Sequence, residues 1–550
     1  MALDRDGPVG VGFDLPPADF VEHPIFALFQ IVAAQHAAAP TLADGTGVLT
    51  YAEVRCAAGL LAAEIATRVP GDKAVAVLLP NGAASVIAVL ACLATGRCCL
   101  VLNADHPAVR NAAILQDAEA HTVIIEDGSR AATAQVPDDV GRIVITAAGR
   151  VSGGTIAASW QPTPMAPDEP AIVLYTSGST GQPKGVVLSQ ATILARVRNN
   201  IVSMHLNSGD RFLSLGALGT TAGLVASFVA LLGGALQFVT SASASGVSSI
   251  LSLIRNERVT IVWGVPALLR LLFDADCARD AVVSLRLIRT FGDRLLRADL
   301  LRWRTVLPAH CHVAITYGQT EVTAAQWFVP AEFAGNEAAL PTGYLLPEHQ
   351  FAVVDEAGRA VGNGEIGELI LRSRYVALGT WEHGRCSIGR ARPDPAAPNL
   401  RILPTGDLVL LRPDGLLQVI GRCDRQVKIR GQRVEPAEVE DALRRVPGVA
   451  DAAVAARRNG EESSLLAFIV AGDPSDTALL HRVRSAARRA LPNYMLPARF
   501  LLVERLPLLP GGKVDDQALL AIEAATPWRV GSLAYAWSLC LAQLRRLTGA

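Results

Sequence analysis

Apolar and polar positions along this chain fall into short blocks whose period switches repeatedly. Residues 74–79 form a β-rich apolar run, and 83–94 read as a helix that ends near Gly96. A strand follows at 98–102, a helix from about 107 to 117 and a strand at 123–126. The pairing returns at 260–263 with 266–273, and at 287–291 with 296–306. Such βα alternation predicts layered α/β sheets, with binding sites at the carboxyl ends of strands. The block 222–239 is apolar for nearly its whole length. Gly233-Gly234 and Gln237 divide it into a buried helix at 224–232 and a buried strand, which argues against a membrane span.

From about Gly343 the texture changes. Segments 351–355, 368–371 and 408–411 read as short antiparallel strands, with turns at Glu356-Ala357-Gly358 and Pro413-Asp414-Gly415. Beyond Gly421-Arg422 a smaller unit carries helices at 436–446 and 477–490 and strands at 450–456 and 465–470. The charged junction Arg422-Cys423-Asp424-Arg425 marks the boundary. The expected organisation is an N-terminal domain over 1–422, a small C-terminal domain over 423–525 and a helical tail over 526–550. In that tail Leu533, Trp537, Cys540, Leu541 and Leu544 share one face.

Composition narrows the classes. Over 550 residues, 51% are hydrophobic and 18% charged, which excludes a disordered chain and supports more than one folding unit. A net charge of −1 provides no bulk field to recruit nucleic acid or an acidic membrane. The nine cysteines include no C-x-x-C pair and the ten histidines no H-x-x-x-H spacing, so reduced cytosolic thiols are expected rather than disulfides or a metal site. The first ten residues carry Asp4, Arg5 and Asp6 and no apolar core of a signal peptide, which again predicts a cytoplasmic protein. Only four of the fifty basic residues are lysine, at Lys73, Lys184, Lys428 and Lys513. Where arginine is otherwise preferred, a retained lysine points to a need for a compact ammonium.

The strongest chemical signal is Tyr175-Thr176-Ser177-Gly178-Ser179-Thr180-Gly181-Gln182-Pro183-Lys184-Gly185, set between strands at 171–174 and 186–188. Small and hydroxyl side chains let backbone N–H groups converge on an anion, and Lys184 adds a mobile charge. It is not a Walker A loop, because Pro183 precedes Lys184 and Gly185 follows it.

With this loop the sequence resembles the adenylate-forming superfamily of acyl-CoA synthetases, luciferases and adenylation domains of nonribosomal peptide synthetases. The resemblance runs in order through Leu49-Thr50-Tyr51-Ala52-Glu53-Val54, Ala94-Thr95-Gly96 to Arg110, Tyr317-Gly318-Gln319-Thr320-Glu321 and Gly364-Glu365-Ile366-Gly367-Glu368-Leu369. It continues through Thr405-Gly406-Asp407-Leu408, Gly421 to Gly431, Leu491-Pro492-Asn493-Tyr494-Met495-Leu496-Pro497 and Pro510-Gly511-Gly512-Lys513-Val514-Asp515. The resemblance implies ATP and Mg²⁺ as cofactors, joining of a small carboxylic acid to AMP, and a mobile C-terminal domain. It implies that Thr176, Ser177, Gly178, Ser179, Thr180, Gly181 and Lys184 bind phosphate. Tyr317 would stack on adenine, and Asp407, with Arg422 nearby, would hold the ribose. Glu321 would hold the metal, while Thr320 and Lys513 would serve the α-phosphate and the reacting carboxylate. Asp424 would be the hinge, and the Lys428 to Gly431 segment would swing toward a thiol acceptor.

The phrase from Asp424 to Glu435 and the ending Gly512-Lys513-Val514-Asp515 resemble the peptide-synthetase branch, which implies a phosphopantetheinylated carrier protein in trans as acceptor. CoA is the alternative acceptor. A non-catalytic nucleotide-binding scaffold is a reading from another class. Amino-acid-activating relatives place an Asp where Thr221 stands here, and no acid is near it. A buried ammonium would lack a counter-charge, so an aryl, acyl or unusual acid is expected. The same alignment assigns Val225, Trp263, Arg289, Phe291, Thr316, Ala324 and Ala325 to the acid pocket. Arg289 is left either to pair with a second acidic group or to face outward.

Overall fold

The computed structural model describes residues 3–71, 73–129, 136–149, 160–178, 182–240, 246–333, 335, 337–459, 462–507 and 514–526. Ser179, Thr180, Gly181, Lys513 and the tail beyond Thr526 lie outside the described residues.

A large N-terminal domain is built on two sheets with helices between them. In the eight-stranded sheet the strands Cys99–Val101, Val75–Leu78, Thr122–Glu126 and Gly141–Ile145 are parallel, and Pro170–Thr176 joins them at Cys99–Val101. Lys184–Ser189 then turns back antiparallel to Pro170–Thr176, so the Gly/Ser loop is the tip of a hairpin. The nine-stranded sheet runs parallel from Pro40–Asp44 through Leu236–Val239, Arg211–Ser214, Ile261–Gly264 and Leu287–Thr290 to His312–Gln319. Val322–Phe328 returns antiparallel to His312–Gln319.

The helices Tyr51–Arg68, Ala83–Ala94, Gln190–Met204 and Thr221–Leu232 fill the space between, and one apolar cluster takes residues from both sheets and all four helices. Every residue of Ala83–Ala94 is buried, which is why that helix shows no polar stripe in the sequence. The apolar block near 222–239 resolves as the helix Thr221–Leu232 and the buried strand Leu236–Val239. No helix among the described residues is long and apolar enough to cross a membrane. The motif at 49–54 serves packing. Thr50 caps Tyr51–Arg68 in a reciprocal box with Glu53, and the fully buried Tyr51 donates to Leu231 O at 3.1 Å.

The antiparallel part is a five-stranded sheet of Gln350–Val354, Ile366–Ser373, Ala397–Leu411, Arg392–Asp394 and Leu417–Arg422. Ile366–Ser373 alternates buried and part-exposed positions along its length. Ala397–Leu411 is longer than the expected 408–411, because Asn399, Arg401 and Pro404 hide its first half from any apolar pattern.

The small C-terminal domain pairs Val449–Asn459 with Glu462–Ala471 and Arg499–Val503, with helices Pro436–Arg444 and Leu479–Ala490 on one face and Asp516–Ala525 on the other. All described cysteines are free.

Candidate active site

The site forms where the carboxyl ends of the parallel strands of the nine-stranded sheet meet the antiparallel sheet and the small domain. Tyr317 and Gln319 lie at the end of the His312–Gln319 strand, and Thr320 and Glu321 make the turn into Val322–Phe328. Asp407 faces them from Ala397–Leu411, in register with Arg422. Its carboxylate accepts from Tyr317 Oη at 2.5 Å, Gln319 Nε2 at 2.7 Å and Arg422 Nη1 at 2.8 Å. Burial pushes the Asp407 carboxyl up, but Lys428 and Arg422 outweigh it and hold the group below its ordinary range. An ionised carboxylate fixed by three donors is suited to accept from a pair of ligand hydroxyls. Arg422 also donates to Thr405 O at 3.0 Å and grips the exposed Asp424 at 2.9 and 2.6 Å.

Across the hairpin of the Gly/Ser loop, Thr176 pairs with Lys184. A Cβ at Gly178 would stand 2.1 Å from Gln182 O, so only glycine fits this turn. Lys184 is half-buried. Burial pushes its ammonium below the usual lysine range, with Glu321 opposing the shift and Arg433 adding to it.

Glu321 is 5% exposed and is met from the small domain by Arg433, whose Nη1 lies 3.0 and 3.2 Å from the two carboxylate oxygens. Burial pushes Glu321 up, and Arg433 and Arg390 more than offset it, leaving the group ionised. A lone buried carboxylate fits Mg²⁺, which takes one or two protein carboxylates with phosphate and water completing its shell. No larger cluster of His, Cys, Asp and Glu suited to a metal is present among the described residues.

The small domain closes over this end of the molecule. Lys428 Nζ stands 6.0 Å from the Tyr317 ring centroid. Gly431 meets Gly292, where a Cβ would lie 3.1 Å from Gly431 O, and both glycines have positive φ, +76° and +83°. Ser177 Oγ donates to Arg433 O at 2.7 Å, and Arg110 of Ala108–Asp117 forms a buried ion pair with Glu438 of Pro436–Arg444.

Deeper along the strands lie most of the residues expected to form the acid pocket. Val225, Trp263 and Phe291 belong to one apolar cluster, with the Trp263 and Phe291 rings 6.0 Å apart. Trp263, Arg289 and Ala314 are in register on three neighbouring parallel strands, so their side chains share a face. Arg289 does not face outward. It is 0% exposed, and it donates to Thr316 Oγ1 at 2.8 Å, Gln326 Oε1 at 2.7 Å and Ser203 Oγ at 3.2 Å. Thr221 opens Thr221–Leu232 behind its cap Thr220, and its own hydroxyl is enclosed without a partner. Ala324 and Ala325 pack elsewhere, in the cluster of Tyr317 and Leu369.

Sequence reasoning passed over Arg433, Glu438, Gln326, Ser203 and Arg196. Arg196 is buried on Gln190–Met204, donates to Thr320 O at 3.0 Å and faces Glu321, and burial pushes it down to about 10. Its signal was a guanidinium placed inside a helix that is buried almost all round.

Residues 29–381 match the profile of the AMP-binding enzyme family, and residues 438–513 match that of the AMP-binding enzyme C-terminal domain. The chain belongs to the AMP-binding enzyme family. This AMP-binding chain is 31% identical over 523 residues to an L-proline–[L-prolyl-carrier protein] ligase of Streptomyces coelicolor, covering 90% of this chain and 96% of that protein. It is 34% identical over 508 residues to phenyloxazoline synthase MbtB of Mycolicibacterium paratuberculosis, covering 88% of this chain and 40% of that protein. The synthases among its relatives are longer, and the chain spans between 6% and 41% of their length. Its fold superposes on the amide bond synthetase McbA of Marinactinospora thermotolerans with a TM-score of 0.75 and 25% identity, covering 90% of this chain and 99% of that one. Membership in this adenylate-forming family implies use of ATP.

Proposed function

We propose that this chain activates a carboxylic acid with ATP and passes the acyl group to the phosphopantetheine thiol of a carrier protein acting in trans. In the first step a carboxylate oxygen attacks the α-phosphorus, an acyl-adenylate forms and pyrophosphate leaves. In the second the thiolate attacks the acyl carbonyl, a thioester forms and AMP leaves. The observation that carries this reading is the convergence of Lys184, Tyr317, Glu321, Asp407 and Arg422, from four separate sequence motifs, on one cleft. Positioning and charge stabilisation must then supply the acceleration.

In this reading Asp407, with Arg422 behind it, receives the ribose hydroxyls, and Tyr317 offers its ring to adenine. The Gly/Ser loop and Lys184 hold phosphate. Mg²⁺, held by Glu321 and the phosphates, would supply positive charge at the oxygens of the transferring group. Lys513 neutralises the charge shared by the carboxylate and the α-phosphate. The unit over 423–525 turns about Asp424, and the pose described here suits the second step: Lys428 to Gly431 is at the cleft and Arg433 occupies the carboxylate that a metal would need. A carrier is favoured over CoA because the 424–435 wording is that of the peptide-synthetase branch and one full-length relative is a carrier-protein ligase.

ATP–pyrophosphate exchange over a panel of acids tests the reading. Lys513→Ala is expected to lower exchange on the order of 10²–10³-fold, and the charge-preserving Lys513→Arg to lose most of it. Near-normal exchange in either variant would reject the role of Lys513, and a panel without exchange would reject adenylation. Supplying holo-carrier or CoA to the loaded enzyme separates the two acceptors.

A further inference from the structure

Two arginines on one strand approach live in opposite surroundings. Arg286, just before Leu287–Thr290, holds Asp210 through Nε at 2.7 Å and through Nη2, and donates to Met204 O and His205 O. Its charge is balanced by the chain itself. Arg289, three residues on, is fully buried and has only the neutral acceptors Thr316, Ser203 and Gln326. No carboxylate among the described residues pairs with it. These bonds use three of the five guanidinium N–H groups, leaving two with no acceptor among the described residues. Burial pushes the group down to about 9, which still leaves it charged at neutral pH. A desolvated cation without its counter-ion is a cost to the fold, and one a bound anion would remove.

The surroundings say where that anion would lie. The guanidinium carbon sits 5.4 Å from the Trp263 ring centroid, and Phe291 lines the strand's mouth two residues on, about 7 Å nearer the carboxyl end. Trp263 Nε1 and Thr221 Oγ1 are both enclosed and without a partner. Among the described residues no carboxylate bonds to the Thr221 hydroxyl, and Arg289 would repel an ammonium.

Resting on the reading of this chain as a carboxylate-adenylating enzyme, we infer that its acid carries a second anionic group at the end remote from the reacting carboxylate and lacks an α-ammonium, with Arg289 as the specificity-determining residue that binds this group. The part between the two groups is flat or slender enough to lie along Trp263 and Phe291. Thr316, Ser203 and Gln326 hold the guanidinium in place, so they are positioning residues.

Benzene-1,4-dicarboxylate and glutarate, each against its monoamide, together with L-glutamate, test this on the full chain by ATP–pyrophosphate exchange and by quenching of tryptophan fluorescence. The diacids are expected to exceed the monoamides by about 10²-fold in kcat/KM, with L-glutamate at the monoamide level. Arg289→Met should abolish the preference and Arg289→Lys should keep part of it, in proteins whose ATP binding shows them folded. If Arg289→Met does not fold, Arg289→Lys and the wild-type panel decide. Diacids that quench fluorescence without exchange support the inference and reject adenylation. Monoamides or L-glutamate exchanging as fast as the diacids, or an undiminished preference in Arg289→Met, overturns the inference and leaves adenylation intact. A panel with neither binding nor exchange overturns both.

Discussion

The surroundings of Asp407 and Glu321 and those of Arg289 treat charge in opposite ways. At the nucleotide end every buried carboxylate has a cation of its own: Asp407 has Arg422, and Glu321 has Arg433. Arg422 belongs to the same sheet as Asp407, whereas Arg433 reaches Glu321 from the small domain. Arg289 has hydrogen bonds but no opposite charge among the described residues. Charge matched within the chain is consistent with a part that alternates between partners, whereas charge left unmatched in a rigid strand is consistent with a part that waits for a ligand.

The comparison breaks most readily on stability. Arg286→Met would strand the 3% exposed Asp210 carboxylate without its cation, at a cost of about 3–4 kcal/mol in unfolding free energy. Arg289→Met removes a cation that has no counter-ion and should change stability by no more than about 1 kcal/mol, because relief from desolvation offsets the lost hydrogen bonds. Chemical denaturation of the two variants side by side measures this. A loss for Arg289→Met as large as that for Arg286→Met would mean that the pocket arginine is a structural fixture.

The nucleotide end is tested by Arg433→Gln. Removing the charged partner of Glu321 should weaken the present pose by about 2 kcal/mol and slow thioester formation roughly 30-fold, more than it slows adenylation. The two half-reactions, read separately by pyrophosphate exchange and by carrier loading, give the split. pH provides a second reading. The native carboxyl of Glu321 lies below its ordinary value of 4.5, so the pair contributes fully above that value and is lost only as pH falls through the lowered one. Hydrogen exchange of the hairpin at 427–434 should therefore be insensitive to pairing between about pH 6 and 8, once intrinsic exchange is corrected for. A loosening in that window would show that another group controls the pose.

What the sequence made legible follows the same division. Tyr317, Asp407 and Arg422 could be picked out because each stands in a short motif with one chemical purpose, and the structure joins them by direct hydrogen bonds. The layered sheets were legible from periodicity, whereas strand order was not, since which parallel strands pair depends on crossovers that leave no local mark. Arg433 was passed over because its partner, Glu321, lies 112 residues away in the chain and is reached only when the two domains meet. Gln326 was passed over for a local reason. The register shifts between Tyr317 and Gly318, and this irregularity puts Gln326 opposite Thr316.

The smallest effect is the most discriminating for the pocket. Thr316→Val keeps the volume and removes the acceptor of Arg289 Nε–H, a single hydrogen bond to a charged donor of 2.8 Å. About 1–1.5 kcal/mol of orientation should be lost, which lowers the preference for diacids over monoamides roughly tenfold without abolishing it. Ser203→Ala, whose bond is 3.2 Å, should cost less. If Arg289 merely filled space, both variants would shift stability and leave the ratio alone. A ratio that falls in the order of the hydrogen-bond lengths would instead tie selectivity to how firmly the guanidinium is aimed, because neither Thr316 nor Ser203 carries a charge that could select for an anion by itself.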